Sequence, residues 1–179
     1  INNNLNYHTI KPCNAEVSAD NLISTWITPN ELWYIRNNNP VPNIDIDRIK
    51  KLDNGLVPIF EPGLDELISE SIGSGKLLFT SSPQEPLRRP DIIILCVGTP
   101  DDGTGATSLQ AIENCAKTIS ELSNQSVPVL IKSTVPVGTT AKIQNLINKG
   151  LNERKADIKI PVASNPEFLR EGVAISEFY

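Results

Sequence analysis

Methionine is absent from this 179-residue chain, histidine occurs once, and aromatic residues make up only 5% of it. The missing Met, the Ile1-Asn2-Asn3-Asn4 start and the end at Phe178-Tyr179, just past a helix-like stretch, read as a fragment cut at both ends. The single His8 lies in a polar stretch and is expected to be exposed. Cys13, Cys96 and Cys115 are an odd number at wide spacing. That excludes a disulfide framework and a zinc pattern. It favours a reducing compartment, so a cytoplasmic location is expected. No metal site is expected. No apolar run approaches the ~20 residues of a membrane span, and no signal peptide is visible. A formal net charge of −5 argues against nucleic acid or an anionic membrane surface as partner, although local basic pockets stay open.

What is present is globular in composition, 39% hydrophobic and 21% charged. The length allows one domain, or one domain plus a fragment. Residues 1 to 20 are polar and punctuated by Asn, with a short helix expected over 18–26. Glu31 to Arg36 has the aromatic and branched content of a strand. The run Asn37 to Asn43, with Pro40 and Pro42, is expected to break any regular element. Asp45 to Leu52 and Leu64 to Ile72 carry apolar residues at helical spacing. They are closed by Asn54-Gly55 and by Gly73 and Gly75. From residue 76 the pattern alternates: strand 76–80, a proline-rich connection, strand 91–97, helix 108–122, strand 127–131, helix 138–151, strand 158–163. Such alternation predicts an α/β fold with a doubly wound parallel sheet.

Ligands of such sheets bind at the carboxyl ends of the strands. Three stretches follow strands here. Val97-Gly98-Thr99-Pro100 puts a small residue and a hydroxyl after a buried strand; it could equally be a plain turn. Ser133-Thr134-Val135-Pro136-Val137-Gly138-Thr139 gathers hydroxyls ahead of a helix. N-capping explains one of them, and Pro136 suits a first helical turn. Asn165-Pro166-Glu167-Phe168-Leu169-Arg170-Glu171-Gly172 places two carboxylates around an Arg. A carboxylate at a cleft can serve as general base; a solvated helix start would also favour Glu. Gly73-Ser74-Gly75-Lys76 is no phosphate loop, because it lacks the earlier Gly and has Leu77 where Ser or Thr is needed. Asn124-Gln125-Ser126 fits a glycosylation sequon, but nothing indicates secretion. Cys96 and Cys115 are expected to be inert core thiols.

These stretches, with Ile59-Phe60-Glu61-Pro62-Gly63-Leu64, give residues 46–179 a resemblance to the UDP-glucose/GDP-mannose dehydrogenase family. The bacterial-type UDP-glucose 6-dehydrogenases are the most similar branch. The resemblance implies NAD-dependent oxidation of a UDP-sugar at C6 to the uronic acid, with NAD as cofactor. It also implies site residues. Val97, Gly98, Thr99, Pro100 and Asp101 would line the NAD site, with Ser133, Thr134 and Val135. Thr134 would help to hold the catalytic water. Glu167 would be the general base or its water partner, and would touch substrate. Phe168, Leu169, Arg170 and Glu171 would contact the UDP-sugar, and Glu171 would also reach the nicotinamide end. A homo-oligomer is implied only for the full-length enzyme.

Two departures stand against that pattern. The family's nucleophilic Cys, and the Lys and Asn that assist it, lie in later domains, and none of the three Cys here matches it. The family also opens with a strand, a Gly-x-Gly-x-x-Gly turn and a helix, and this chain has no such turn. Residues 7–45 instead resemble the start of the molybdopterin domain of sulfite oxidases and plant-type nitrate reductases. Cys13-Asn14-Ala15-Glu16, Ile27 to Asn37 and Pro40-Val41-Pro42 carry that likeness, with Asn38 where that family has His. A chimera joined near 43–47 is therefore expected: an irregular segment 1–45, then an incomplete, Rossmann-like NAD-binding domain 46–179 lacking its first βαβ unit and inactive alone, the alternatives being a fragment of a molybdopterin-dependent sulfite oxidase or a non-catalytic chimera. Its strands 76–80 and 91–97 should be separated, residues 32–36 are not expected to fill the gap, and NAD affinity should be poor.

Overall fold

The computed structural model describes residues 31–34, 40–42, 46–57, 60–80, 83–84, 86–170 and 172–178. The helix expected over 18–26 lies outside them. In chain order the elements are β1 (Glu31–Tyr34), β2 (Pro40–Pro42), α1 (Ile46–Asp53), α2 (Leu64–Gly73), β3 (Leu78–Thr80) and β4 (Ile93–Cys96). There follow α3 (Gln110–Leu122), β5 (Val129–Ile131), α4 (Thr139–Glu153), β6 (Val162–Ser164) and α5 (Ala174–Phe178).

The apolar run at 93–96 explains the centre of the molecule. A strand so continuous in Ile and Leu is buried on both faces, and all four residues of β4 are buried. Side chains alternate across a strand. Ile93, Leu95 and Val97 therefore pack on one face with Ile112, Ala116 and Ile119 of α3 and with Ile143, Ile147 and Leu151 of α4. Ile94 and Cys96 face the other way, onto Leu52 of α1 and Leu64 and Ile68 of α2. Helices thus cover both faces, and β4, β5 and β6 run parallel in the order β4-β5-β6. This is the doubly wound α/β architecture, in partial form.

The helix stripes form at the expected 3.6-residue spacing. The caps are less regular. Gly55 sits at φ 72 and its N–H donates to the Leu52 carbonyl at 2.8 Å, closing α1. Gly150 of α4 lies so close to α3 that an added Cβ would stand 2.7 Å from the Ser120 Cβ. The two helices therefore meet nearly backbone to side chain.

Two expectations fail on the amino-terminal side. β1 does fill the slot beside β4, pairing antiparallel with Leu32 opposite Leu95 and Trp33 opposite Ile94. An unpaired strand edge is a row of unsatisfied N–H and C=O groups, and β1 covers the edge that β4 would otherwise leave open. The run 37–43 is not wholly irregular either: β2 pairs parallel with β3, Pro40 opposite Leu78 and Pro42 opposite Thr80. Proline is tolerated on an edge strand, where it need not donate to a ladder. The separation of β3 from β4 does occur, since β2 and β3 form their own two-stranded sheet. β6 begins at Val162, later than expected, because Pro161 has no N–H to donate. Its carbonyl still accepts from Val129 N–H at 2.8 Å.

Candidate functional site

Parallel strands bring their carboxyl ends to one edge, so the loops after β4, β5 and β6 lie side by side. Backbone bonds continue the pairing past the strands: Lys132 N–H donates to the Leu95 carbonyl at 2.8 Å, and Asn165 N–H to the Ile131 carbonyl at 2.9 Å. Side chains then lock loop to loop. The Ser133 hydroxyl donates to the Val97 carbonyl at 2.5 Å. The Thr99 hydroxyl donates to the Thr134 carbonyl at 3.1 Å. The Lys132 ammonium donates to Asn165 Oδ1 at 2.8 Å.

These bonds decide between helix capping and another role for the hydroxyls. The N-cap of α4 is Gly138, at φ 89, with no side-chain cap bond. Ser133 and Thr134 therefore do not cap the helix, and Pro136 precedes it, accepting from Thr139 N–H at 3.1 Å. Ser133 and Thr99 serve as braces between loops. Thr134 is exposed, and its hydroxyl makes no hydrogen bond to another described residue. Nor is Glu167 at a helix start, because α5 begins only at Ala174. One Glu167 oxygen, Oε1, accepts from Leu169 N–H, which curls the loop back upon itself.

The other expected residues divide in a simple way. The Val97 side chain belongs to the core, so only its backbone reaches the loop edge. Val135 packs against the same core. Gly98 is half-buried and Pro100 exposed. Asp101 Oδ1 accepts the N–H groups of Gly103 at 2.6 Å and Gly105 at 3.3 Å, and so shapes its own loop. Phe168 is 87% exposed beside Glu167. The Arg170 guanidinium is paired with the Glu177 carboxylate, Nε to Oε1 at 2.6 Å, and that bond pulls the Glu177 carboxyl below its ordinary range. Glu171 lies outside the described residues.

Three features had no sequence signal strong enough to assign them a role. The Lys132–Asn165 bond joins residues in separate loops. Glu177 lies past the last motif. Glu61, which looks like a turn residue before Pro62-Gly63, is buried, and its carboxylate accepts from Gly172 N–H at 2.7 Å and Ile175 N–H at 3.0 Å. An acidic residue just before Pro-Gly was the available hint.

Braced loops at the carboxyl edge of a parallel sheet, with helices on both faces, define an α/β domain of the dinucleotide-binding class. The family model described as UDP-glucose/GDP-mannose dehydrogenase family, NAD binding domain, matches residues 33–179. The chain belongs to that family, and the matched region is its NAD-binding domain. The chain is 43% identical over 137 residues to the UDP-glucose 6-dehydrogenase YwqF of Bacillus subtilis, covering 76% of this chain and 30% of that protein. It is 36% identical over 143 residues to the GDP-mannose 6-dehydrogenase of Pseudomonas syringae pv. tomato, covering 77% and 33%. Among solved structures, a GDP-mannose dehydrogenase from Pseudomonas aeruginosa superposes with a TM-score of 0.69 at 30% identity, over 76% of this chain and 32% of that one. A UDP-glucose dehydrogenase from Pyrobaculum islandicum gives 0.66 at 34%, over 76% and 32%. The chain thus spans about a third of the length of the relatives it matches. Among the described residues, no helix is long and apolar enough to cross a membrane.

Proposed function

We propose that this chain supplies the nicotinamide and sugar side of a site that oxidises UDP-glucose, or a related UDP-sugar, at C6. The observation that carries this is the mutual bracing of the three strand-end loops, with the exposed Thr134 hydroxyl and the second oxygen of Glu167 bonded to no other described residue. In this reading Val97 to Asp101 and Ser133 to Val135 would form the wall against NAD, and the resemblance assigns Glu171 to its nicotinamide end. Held there, NAD would supply the hydride acceptor. The chain's own residues orient and move protons. Thr134 holds the reacting water or hydroxyl, and Glu167 accepts the proton as general base. Phe168, Leu169, Arg170 and Glu171 hold the UDP-sugar.

The residues fit NAD on one side only. A pyrophosphate is held by the turn and helix N-terminus that follow the first strand of a dinucleotide fold. β1 runs the other way: Glu31 lies opposite Cys96, and Tyr34 opposite Ile93. β1 therefore ends at the edge remote from the three loops, and among the described residues the next element after it is β2, not a helix. That direction also supports dividing the chain into 46–179, an incomplete NAD-binding domain, and 1–45, a segment of other origin, although the family match reaches back to Trp33.

A covalent second oxidation needs a thiolate. Cys96 is buried in β4, and burial pushes the Cys115 thiol up to about 12. Cys115 is therefore a poor nucleophile at neutral pH, Cys96 is shut into the core, and Cys13 lies outside the described residues. The chain spans about a third of the length of its relatives, so the covalent step and assembly into an oligomer are proposed only for the full-length enzyme. Titration with UDP-glucose and NAD⁺, followed residue by residue by NMR, tests the site. Perturbed amides are expected at Gly98, Thr99, Thr134, Leu169 and Arg170. Shifts confined to α3, α4 or β1 would sink the assignment.

A further inference from the structure

The buried carboxylate of Glu61 has no part in the site described so far. A buried carboxylate is costly unless its oxygens are hydrogen-bonded, and here both oxygens accept backbone N–H groups. Its partners are 111 and 114 residues away in sequence. On its own side Glu61 is held rigidly. Its carbonyl accepts from Leu64 N–H at 3.1 Å, and Gly63, at φ 84, turns the chain into α2. Leu64 and Ile68 then anchor α2 to the back face of β4. On the far side, Gly172 takes φ 86, and Ile175 packs against that same cluster. The loop 165–172 is therefore fixed at both ends: Asn165 is tied to β5, and Gly172 to Glu61.

We propose that Glu61 is a positioning residue for the sugar-side loop. Its carboxylate sets where Glu167 to Arg170 stand relative to Thr134, by clamping the first turn of α5 to the base of α2. The proposal rests on the reading that this loop faces the nucleotide sugar. The geometry calls for a carboxylate in particular. A glutamine would turn its NH₂ group toward one of the two N–H donors, and an aspartate is one methylene too short to keep both.

The test uses the full chain with Glu61→Gln and Glu61→Asp. Glutamine keeps the volume, and aspartate keeps the charge should the first variant fold poorly. Amide hydrogen exchange at Gly172 and Ile175 is expected to quicken by about tenfold, the loss of one charge-assisted hydrogen bond. Apparent affinity for UDP-glucose, read from the Leu169 and Arg170 amides, should fall by a similar factor. The NAD⁺ response at Gly98 and Thr99 should stay within about twofold, since those amides lie on loops that Glu61 does not touch. Unchanged exchange at Gly172 and Ile175 overturns the proposal. So does an equal loss for both ligands with faster exchange throughout β4 and β5, which would show a merely structural role. A wild-type chain that ignores UDP-glucose overturns the site assignment itself, and the exchange data then still decide whether Glu61 holds the loop.

Discussion

The two edges of β4 are built from the same alternation of side chains but have opposite consequences. On one edge β5 runs parallel, Ile93 opposite Val129 and Leu95 opposite Ile131, and β6 continues the series. Three carboxyl ends then meet, and their loops can brace one another. On the other edge β1 runs antiparallel, Leu32 opposite Leu95. It satisfies the backbone of β4 equally well, yet it carries the chain away from the loops. Strand pairing needs only donors and acceptors in register, and either direction supplies them. Recognition of a dinucleotide phosphate needs a helix N-terminus at one particular end. An edge can therefore be completed in either direction, and its direction decides what the chain can present at the loop end.

The largest expected effect is on NAD⁺ itself. Calorimetry on the purified chain should show binding weaker than micromolar, because the adenosine and phosphate half of the site lacks its turn. A micromolar dissociation constant would break the comparison, by showing that the antiparallel edge serves the cofactor after all. Next comes the packed face of the parallel side. Leu95 is fully buried between the sheet and α3 and α4. Leu95→Ala should lower unfolding free energy by about 2–5 kcal/mol in urea. A loss under about 1 kcal/mol would mean that this face does not hold the sheet. The smallest effect lies at the Arg170–Glu177 pair. The Arg170 side chain, by its hydrogen bond, lowers the Glu177 carboxyl from its ordinary value, and it is itself raised by that partner. A depressed carboxylate contributes its stabilisation above the ordinary Glu range and loses it as pH falls through the lowered value. An NMR titration should place the Glu177 midpoint below that of a free Glu. Arg170→Gln should bring it back up; an unmoved midpoint would show that the pair does not form in solution.

Much of the parallel half was legible because its signals are local. Asp91 to Val97 read as a buried strand from one short apolar run, and Ile93–Cys96 form it. The stripes Ile112, Ala116, Ile119 and Ile143, Ile147, Leu151 are helical spacing and nothing else. The loops after β4, β5 and β6 were legible as neighbours because strand ends are visible in order. The braces were not. Ser133 could have capped α4; that it bonds Val97 instead depends on how close β4 and β5 lie.

By itself the sequence determined the elements, their alternation and the doubly wound class, since periodicity and punctuation act over a few residues. It also determined which loops follow the parallel strands, through chain order. Tertiary structure alone decided the direction of β1, because residues 31–34 read as a strand whichever way they run, and the exposed edge of β4 accepts both. It alone decided that β2 forms from Pro40 to Pro42, because an edge strand can spare the N–H that proline lacks. It alone turned Glu61 from a turn residue into the clamp on α5. A buried carboxylate is defined by the donors that reach it, and these come from the other end of the chain.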